Sequence, residues 1–357
     1  MNVTVVTDIP SPYQVELFNA LEQRGKVAMR AVYVSAFDPS RSWKLPDITH
    51  QSYFIEDDSY AAQKSIQSSD LAVFSNYVEP AVRKWMQARA SKKKPWVFWG
   101  ERPGFRSSGL LGQCYRKVRL WPLHRSNVPI WGIGQWAVDR YQYEFGEERP
   151  YVNIPYYSNL KRFRTASPHE TLDPSPRRIL YAGSLSERKG VDLLARAFAE
   201  IATQQPALHL DVAGDGALRD KMETILSPVS SQVTFHGFVE WDTLPSLHAA
   251  ADVLCVPSRY DGWALVVPEG LAAGLPVIAT DRMGAALDLI RPSVNGWRVL
   301  ADSQEALHRA LQEASSLSEE QLSEMGQTAQ REIFETHTLQ HGAEKFEHAA
   351  RQAYEAF

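Results

Sequence analysis

Residues 257–276 read PSRYDGWALVVPEGLAAGLP and hold two carboxylates, Asp261 and Glu269, with seven residues between them. The apolar run before this stretch, residues 252–256, predicts a buried strand, and Pro268 predicts the start of a helix. Strand, loop and helix would bring the backbone amides of residues 262–265 and a helix N-terminus to one edge of a sheet. That arrangement suits the phosphate and sugar of a nucleotide-linked sugar.

Length and composition limit the class of protein. A chain of 357 residues exceeds one ordinary core and predicts two domains, and 44% hydrophobic with 22% charged residues indicates a soluble globular protein. No apolar run approaches the roughly 20 residues that span a bilayer, and the chain begins in a strand pattern without a targeting segment. Two cysteines, Cys114 and Cys255, cannot form a disulfide framework, which indicates the cytoplasm.

The net charge of −4 hides an excess of basic residues before residue 160 and an excess of acidic residues after it. Much of the basic excess lies between residues 92 and 125. This distribution suggests an acidic partner or an anionic membrane surface, and an ordinary solvated face accounts for it equally well.

Short apolar runs alternate with longer mixed segments, which predicts parallel sheets covered by helices. Strands are expected at residues 3–6, 31–34, 71–74, 96–99, 128–133, 178–182, 208–213, 233–235, 253–256 and 277–279, with helices at about 14–24, 78–91, 112–120 and 191–204. The predicted class is α/β, with two doubly wound Rossmann-like domains facing a central cleft. We expect domains at residues 1–160 and 178–335, a Pro- and Ser-rich linker at 161–177, and a C-terminal helix at 336–357 that packs back on the first domain.

Other strand ends of the second half carry residues suited to a nucleotide. Gly183 and Ser184 open a loop that ends in Arg188 and Lys189 before a helix, a place to hold a diphosphate, although exposed turn cations fit the pattern too. The Gly214-Asp215-Gly216 sequence favours a tight turn over a dinucleotide fingerprint.

A further strand end, residues 235–239, contains Gly237 and Phe238, whose backbone groups could face a base. His236 within it is better explained as a structural residue than as a catalyst.

Taken together, residues 178–299 resemble the retaining family 4 glycosyltransferases, which have the GT-B fold. The matching elements are Gly183, Lys189-Gly190, Gly214 and Gly216, the aromatic-x-Gly-aromatic segment 235–238, Pro257-Ser258, Gly262, Leu265, Glu269, the segment 274–277 and Asn295-Gly296. The resemblance covers about a third of the chain. The first half is similar only loosely, through residues 7–21, to bacterial members that act on surface polysaccharides.

The resemblance implies a role for each matched residue. Glu269 would bind the nucleotide ribose, Lys189 would neutralise the diphosphate, and Asp261 would contact hydroxyls of the donor sugar. The backbone of Gly262, Trp263, Ala264 and Leu265 would hold sugar and phosphate.

Three positions depart from the family pattern. Asp261 is shorter than the usual Glu, Ala264 replaces a glycine, and Ser184 stands where a phosphate-binding arginine is common. They put the identity of the donor sugar in doubt more than nucleotide binding.

In the first half, Glu101 follows a predicted strand and is the candidate base or acceptor-orienting group; a salt-bridged loop acid is the alternative. No Asp-x-Asp sequence or metal-ligand spacing occurs, so we expect no metal and no cofactor beyond the nucleotide-sugar donor.

The expected partners are that donor and a sugar, lipid-linked sugar or small-molecule acceptor, and no nucleic acid. A membrane contact is suggested by residues 105–121, with Arg116, Lys117 and Arg119 on lipid headgroups.

Rival functions are a nucleotide-sugar epimerase and a non-catalytic protein that binds a nucleotide sugar. A Rossmann dehydrogenase is disfavoured by the incomplete glycine pattern.

Overall fold

The computed structural model describes residues 1–38, 45–103, 110–164 and 176–357. The chain forms two compact units, of which the first comprises Met1–Asn159 and Thr338–Phe357 and the second comprises Leu160–His337. The predicted linker at 161–177 lies partly outside the described residues, and Leu160–Phe163 forms a 3₁₀ turn of the second unit.

The first unit is built on a parallel sheet, seven-stranded over the described residues, in the order β3-β2-β1-β4-β5-β6-β7. Its strands are β1 Asn2–Thr7, β2 Ala28–Tyr33, β3 Gln51–Phe54, β4 Leu71–Phe74, β5 Trp96–Gly100, β6 Ile130–Gly132 and β7 Tyr151–Asn153. The sequence did not predict β3 and β7. Both are edge strands without a fully buried residue, so they lack the continuous apolar run that marks a central parallel strand.

Helices cover this sheet and bury its apolar side chains. They are α1 Pro12–Arg24, α2 Ser59–Ser68, α3 Pro80–Ser91, α4 Leu110–Arg119, α5 Trp121–His124 and α6 Gln135–Phe145. α3 shows the local reasons for helix formation: Pro80 occupies the first turn, and the Glu79 carboxylate caps it by accepting a hydrogen bond from the Ala81 amide.

The second unit repeats the doubly wound plan with the order β10-β9-β8-β11-β12-β13, all parallel. Its strands are β8 Arg177–Ala182, β9 Leu208–Ala213, β10 Val233–Gly237, β11 Val253–Val256, β12 Val277–Thr280 and β13 Gly296–Val299. Its helices are α7 Val191–Ala202, α8 Arg219–Leu226, α9 Leu244–Ala249, α10 Val266–Ala272, α11 Gly284–Leu289, α12 Gln304–Ser316 and α13 Glu319–Thr336. Because the strands are parallel, their carboxyl ends share one edge of the sheet.

The C-terminal segment contains two helices. After α13, the chain turns at His337 and Thr338 and continues as α14, Leu339–Glu355, which the Thr338 side chain caps. α14 belongs to the first unit: Glu347 accepts two hydrogen bonds from Arg24 at 2.8 and 3.2 Å, and the ring of Phe346 lies 5.2 Å from that of Trp131. Phe346, which follows Trp131 of β6 by 215 positions in the chain, thus completes the core of the first unit.

Candidate functional site

The loop after β8 is fixed against the loop after β11. It runs from Gly183 through a 3₁₀ turn, Glu187–Lys189, to Gly190 at the start of α7. Gly190 has φ +67°, and a Cβ there would collide with the carbonyl oxygen of Pro257. Only glycine meets both conditions, so this position places Lys189 directly beside residues 257–261.

Asp261 is the centre of a charge cluster. Its Oδ2 lies 2.6 Å from Lys189 Nζ and 3.1 Å from Arg188 Nη1, and Arg188 also donates to the Tyr260 carbonyl at 3.1 Å. The side chains of Asp261 and Lys189 are each 15% exposed, whereas that of Arg188 is 44% exposed. The cluster is therefore a mostly buried Asp261–Lys189 ion pair, with the more exposed guanidinium of Arg188 at its edge.

The two cations of this cluster determine the protonation state of Asp261. Burial acts to raise the pKa of Asp261, but the charge and hydrogen bond of Lys189, followed by those of Arg188, outweigh it and lower the pKa. Asp261 is thus ionised at neutral pH, and two cations share one carboxylate. The remaining positive charge can stabilise a phosphate, and the ammonium of Lys189 keeps donors beyond the one that Asp261 accepts.

A second ion-pair network holds the cations in place, and the sequence analysis missed it. Arg259 binds Asp192 of α7 through two hydrogen bonds of 2.7 and 3.0 Å, and its Nε lies 2.7 Å from Asp302. Its backbone amide donates to the Arg188 carbonyl at 2.8 Å. A bidentate arginine is geometrically specific, so Arg259 positions the loop that carries Arg188. The only sequence signal was the place of Arg259, two residues before Asp261.

The segment after Asp261 has a strained backbone. Ala264 is buried and has φ +72°, in the left-handed region where side chains other than glycine are disfavoured. The Trp263 amide donates to Asp261 Oδ1 at 3.3 Å, and the buried Trp263 ring stacks on His337 at 5.5 Å. The four residues predicted to hold sugar and phosphate, Gly262 to Leu265, therefore follow directly on the charge cluster.

Glu269 lies in the first turn of α10 and is half-buried. The prediction that Pro268 opens this helix was wrong by two residues, because α10 begins at Val266. The N–H groups of the first helical turn have no carbonyl partner within the helix, so proline is tolerated throughout that turn. A proline therefore predicts the first turn of a helix but not its first residue.

The end of β10 is tied to the end of β9. The Gly214 amide donates to the Gly237 carbonyl at 2.7 Å, while the neighbouring Phe238 is 58% exposed. His236 Nε2 lies 2.8 Å from Asp211 Oδ1, and Asp211 also pairs with Arg178 at 2.8 Å. His236 thus contacts an internal ion pair, in keeping with a structural role.

At the carboxyl end of β5 in the first unit, Glu101 is exposed and its backbone carbonyl accepts a hydrogen bond from Tyr141 at 2.7 Å. Burial, then the neighbouring Tyr13 and Glu101, raise the pKa of Tyr156. The Tyr13 and Tyr156 rings lie 4.5 Å apart. Glu101 therefore stands beside two tyrosines at the carboxyl end of β5.

Across the described ranges, no group of three or more His, Cys, Asp or Glu side chains is arranged to hold a metal ion. Within the same ranges, no helix has the length and apolar character needed to cross a bilayer.

The predicted contact of Arg116 with lipid headgroups is wrong. Arg116 is buried and forms an ion pair of 2.9 Å with Glu144, whose side chain is 5% exposed. Successive residues on a helix point about 100° apart, so Arg116 and Lys117 cannot face the same surface. Arg116 faces α6, and Lys117 faces solvent.

Comparison with known proteins finds a family model that matches most of the second unit. Residues 163–332 match the family model described as "Glycosyl transferases group 1". The chain is 38% identical over 120 residues to an uncharacterized glycosyltransferase of Methanocaldococcus jannaschii, a match that covers 33% of this chain and 30% of that protein.

It is also 28% identical over 170 residues to a GDP-mannose-dependent monoacylated alpha-(1-6)-phosphatidylinositol monomannoside mannosyltransferase of Corynebacterium glutamicum, which covers 43% of this chain and 44% of the relative. The matched segments thus span less than half the length of these curated relatives.

The whole chain has a structural counterpart. HepE of Anabaena, solved in complex with UDP, superposes with a TM-score of 0.79 at 16% sequence identity, over 99% of this chain and all of the other. The chain therefore has the fold that the sequence predicted, two Rossmann-like domains of the GT-B class, and its second domain carries the sequence pattern of group 1 glycosyltransferases.

Proposed function

We propose that this protein is a glycosyltransferase, which moves a sugar from a nucleotide-sugar donor to an acceptor hydroxyl. The observation that carries the proposal is the cluster of Lys189, Arg188 and Asp261 at the ends of β8 and β11, followed by Glu269 in the first turn of α10. Cations matched to a diphosphate and a carboxylate suited to a ribose thus occur in the segment that matches the group 1 family.

In the proposed reaction, the bond between the anomeric carbon and the donor phosphate oxygen breaks, and a bond from that carbon to the acceptor oxygen forms. The acceptor proton passes to an oxygen of the departing diphosphate, so atoms and charge balance. Lys189 and Arg188 stabilise the negative charge that grows on the leaving group. Glu269 holds the nucleotide, and Asp261 orients Lys189 and the donor sugar.

We further propose retention of anomeric configuration, as in the family 4 enzymes that residues 178–299 resemble, without a metal or another cofactor. In a retaining transfer of this kind the leaving phosphate and the incoming hydroxyl lie on the same face of the sugar. Glu101 is proposed to orient the acceptor, since it is exposed at a strand end beside Tyr13 and Tyr156.

For the acceptor, we propose a sugar or lipid-linked sugar in surface polysaccharide or glycolipid assembly at the cytoplasmic face of a membrane. The name of the Corynebacterium relative supports a lipid-linked acceptor, because that protein acts on a phosphatidylinositol mannoside. Support also comes from the basic excess of the first half of the chain.

The function is tested by a thermal-shift panel of UDP-, GDP-, ADP- and dTDP-sugars, followed by mass spectrometry of products with candidate acceptors. We expect one donor to stabilise the protein and to yield a product heavier by one sugar. Glu269→Ala is expected to weaken nucleotide binding at least tenfold in calorimetry, since a hydrogen bond to a charged group contributes roughly 1.5–3 kcal/mol.

Two results would contradict the proposal. Turnover of the donor without an acceptor would indicate an epimerase. Donor binding without transfer or slow hydrolysis would indicate a protein that only binds a nucleotide sugar.

A further inference from the structure

Helix α4 exposes a stripe of large apolar side chains. Leu111 is 89% exposed and Val118 is 73% exposed, while Tyr115 and Trp121 are exposed over nearly half of their surface. Leu111, Tyr115 and Val118 follow one another at spacings of four and three residues, so they lie on one face of the helix. Trp121 follows at the first residue of α5, and we call these four residues the α4 stripe. Exposed apolar side chains that adjoin one another on a helix face are a feature of interaction sites.

The charge beside the α4 stripe is of one sign. Residues 110–125 contain no Asp or Glu, and Lys117 and Arg125 are exposed. The Arg119 guanidinium lies 5.0 Å from the ring centre of Tyr115, and that of Arg125 lies 5.5 Å from Trp121. Cations are thus held next to the apolar side chains, and the carboxylate of Glu144, which contacts this helix, is paired with the buried Arg116.

We propose that the α4 stripe docks on an anionic membrane surface, with its leucine and valine in the outer acyl region and Lys117, Arg119 and Arg125 on lipid headgroups. Exposed aliphatic residues, interfacial Tyr and Trp, and neighbouring cations on one short helical segment are the features of a segment lying in the plane of a bilayer. A protein partner would need acids in a matching groove, and a nucleic acid would leave Leu111 and Val118 in water. This proposal specifies the surface that makes the proposed membrane contact. It rests on the proposed function only for the reason why the protein would bind a membrane.

A native thiol allows a direct test. Cys114 is exposed and lies on α4 between Leu111 and Val118, whereas Cys255 is buried, and burial raises the pKa of its thiol. These are the two cysteines of the chain, so a thiol-reactive, polarity-sensitive dye labels Cys114. The full chain is titrated with vesicles of phosphatidylcholine alone or mixed with phosphatidylglycerol. We expect a blue shift with the anionic vesicles at low salt, and its loss at high salt.

Matched variants separate charge and apolar contributions. Lys117→Gln with Arg125→Gln should weaken vesicle binding roughly thirtyfold, from about 1 kcal/mol for each cation. The control pair, Lys92→Gln with Lys93→Gln, removes two exposed cations elsewhere in the first unit and should have no effect. Leu111→Ser should weaken binding about tenfold, and Leu300→Ser, at a leucine 61% exposed in the second unit, should not.

Three results would overturn the inference: no binding to anionic vesicles at low salt, equal losses in the control variants, or a dye shift that follows protein concentration without vesicles. The last would identify a second copy of the chain as the occupant. Because lipid binding is measured without donor or acceptor, failure of the proposed transfer reaction leaves this test unaffected, and the reverse also holds.

Discussion

At the scale of single residues, Asp261 is assigned two different partners, the donor sugar and the cations of the site. The resemblance assigns it to hydroxyls of the donor sugar, while the structure places it 2.6 Å from Lys189. A side chain one methylene shorter than glutamate ends nearer its own backbone, which brings it within reach of the cations. Asp261 therefore sets the charge that a diphosphate meets.

Replacing Asp261 by Asn should destabilise the protein by roughly 1–3 kcal/mol at pH 7, because Lys189 and Arg188 lose a charged partner. Since the pKa of Asp261 is lowered in the folded state, its ion pair stabilises the fold above the unfolded-state pKa of 3.8. That stabilisation is lost as pH falls through the folded-state pKa. Urea unfolding at several pH values should show the wild type and the variant converging only below about pH 4. A constant difference down to pH 2 would contradict the ion pair.

Ala264 occupies a backbone conformation that suits glycine, with φ +72°. We expect Ala264→Gly to leave stability unchanged or to raise it by up to about 1 kcal/mol, because relief of strain exceeds the added freedom of the unfolded chain. The matched control is Ala272→Gly in α10, which should cost about 1 kcal/mol. Thermal unfolding of both variants decides the point, and equal losses would mean that Ala264 is unstrained.

At the scale of elements, α4 and α6 are joined by a buried ion pair. Arg116 and Glu144 are 3% and 5% exposed, and Arg116 donates to both carboxylate oxygens. Arg116→Gln should destabilise the first unit by about 3–5 kcal/mol, because it leaves Glu144 buried without this partner. The neighbouring Lys117→Gln should change stability by less than about 0.5 kcal/mol.

Chemical denaturation measures both variants. The double variant Arg116→Met with Glu144→Leu provides the check, since it removes both charges and should recover most of the loss. If it is as unstable as Arg116→Gln, packing and not charge explains the effect.

At the scale of the whole molecule, the chain returns to its first unit through α14 after completing the second. Phe346 is fully buried, with its ring 5.9 Å from Trp99 and 5.2 Å from Trp131. Phe346→Ala should cost the first unit about 3–5 kcal/mol. Hydrogen exchange should accelerate in β1, β4 and β5 and stay unchanged in β8, β9 and β11. Tyr354→Ala on the same helix, at a side chain 45% exposed, is the control. Uniform acceleration in both units would contradict two separate cores.

The sequence by itself determined the central strands of both sheets and the doubly wound plan. It also placed Lys189 and Asp261 in loops that follow strands, and Glu269 near the start of a helix. Those features depend on runs of neighbouring residues, which a sequence displays directly. The edge strands β3, β7 and β13 escaped prediction. β3 and β7 are at most half-buried, and the exposed Arg298 interrupts the short β13, so none of them shows such a run.

Only the tertiary structure decided which side chains meet across distant positions. Arg259 with Asp192 and Asp302, Arg116 with Glu144, and Trp263 with His337 are pairs between separate elements. Residues 116 and 117 have like charges and adjacent positions, yet one is buried and the other exposed. The helix turns their side chains in different directions, and only packing against α6 determines which of the two is buried.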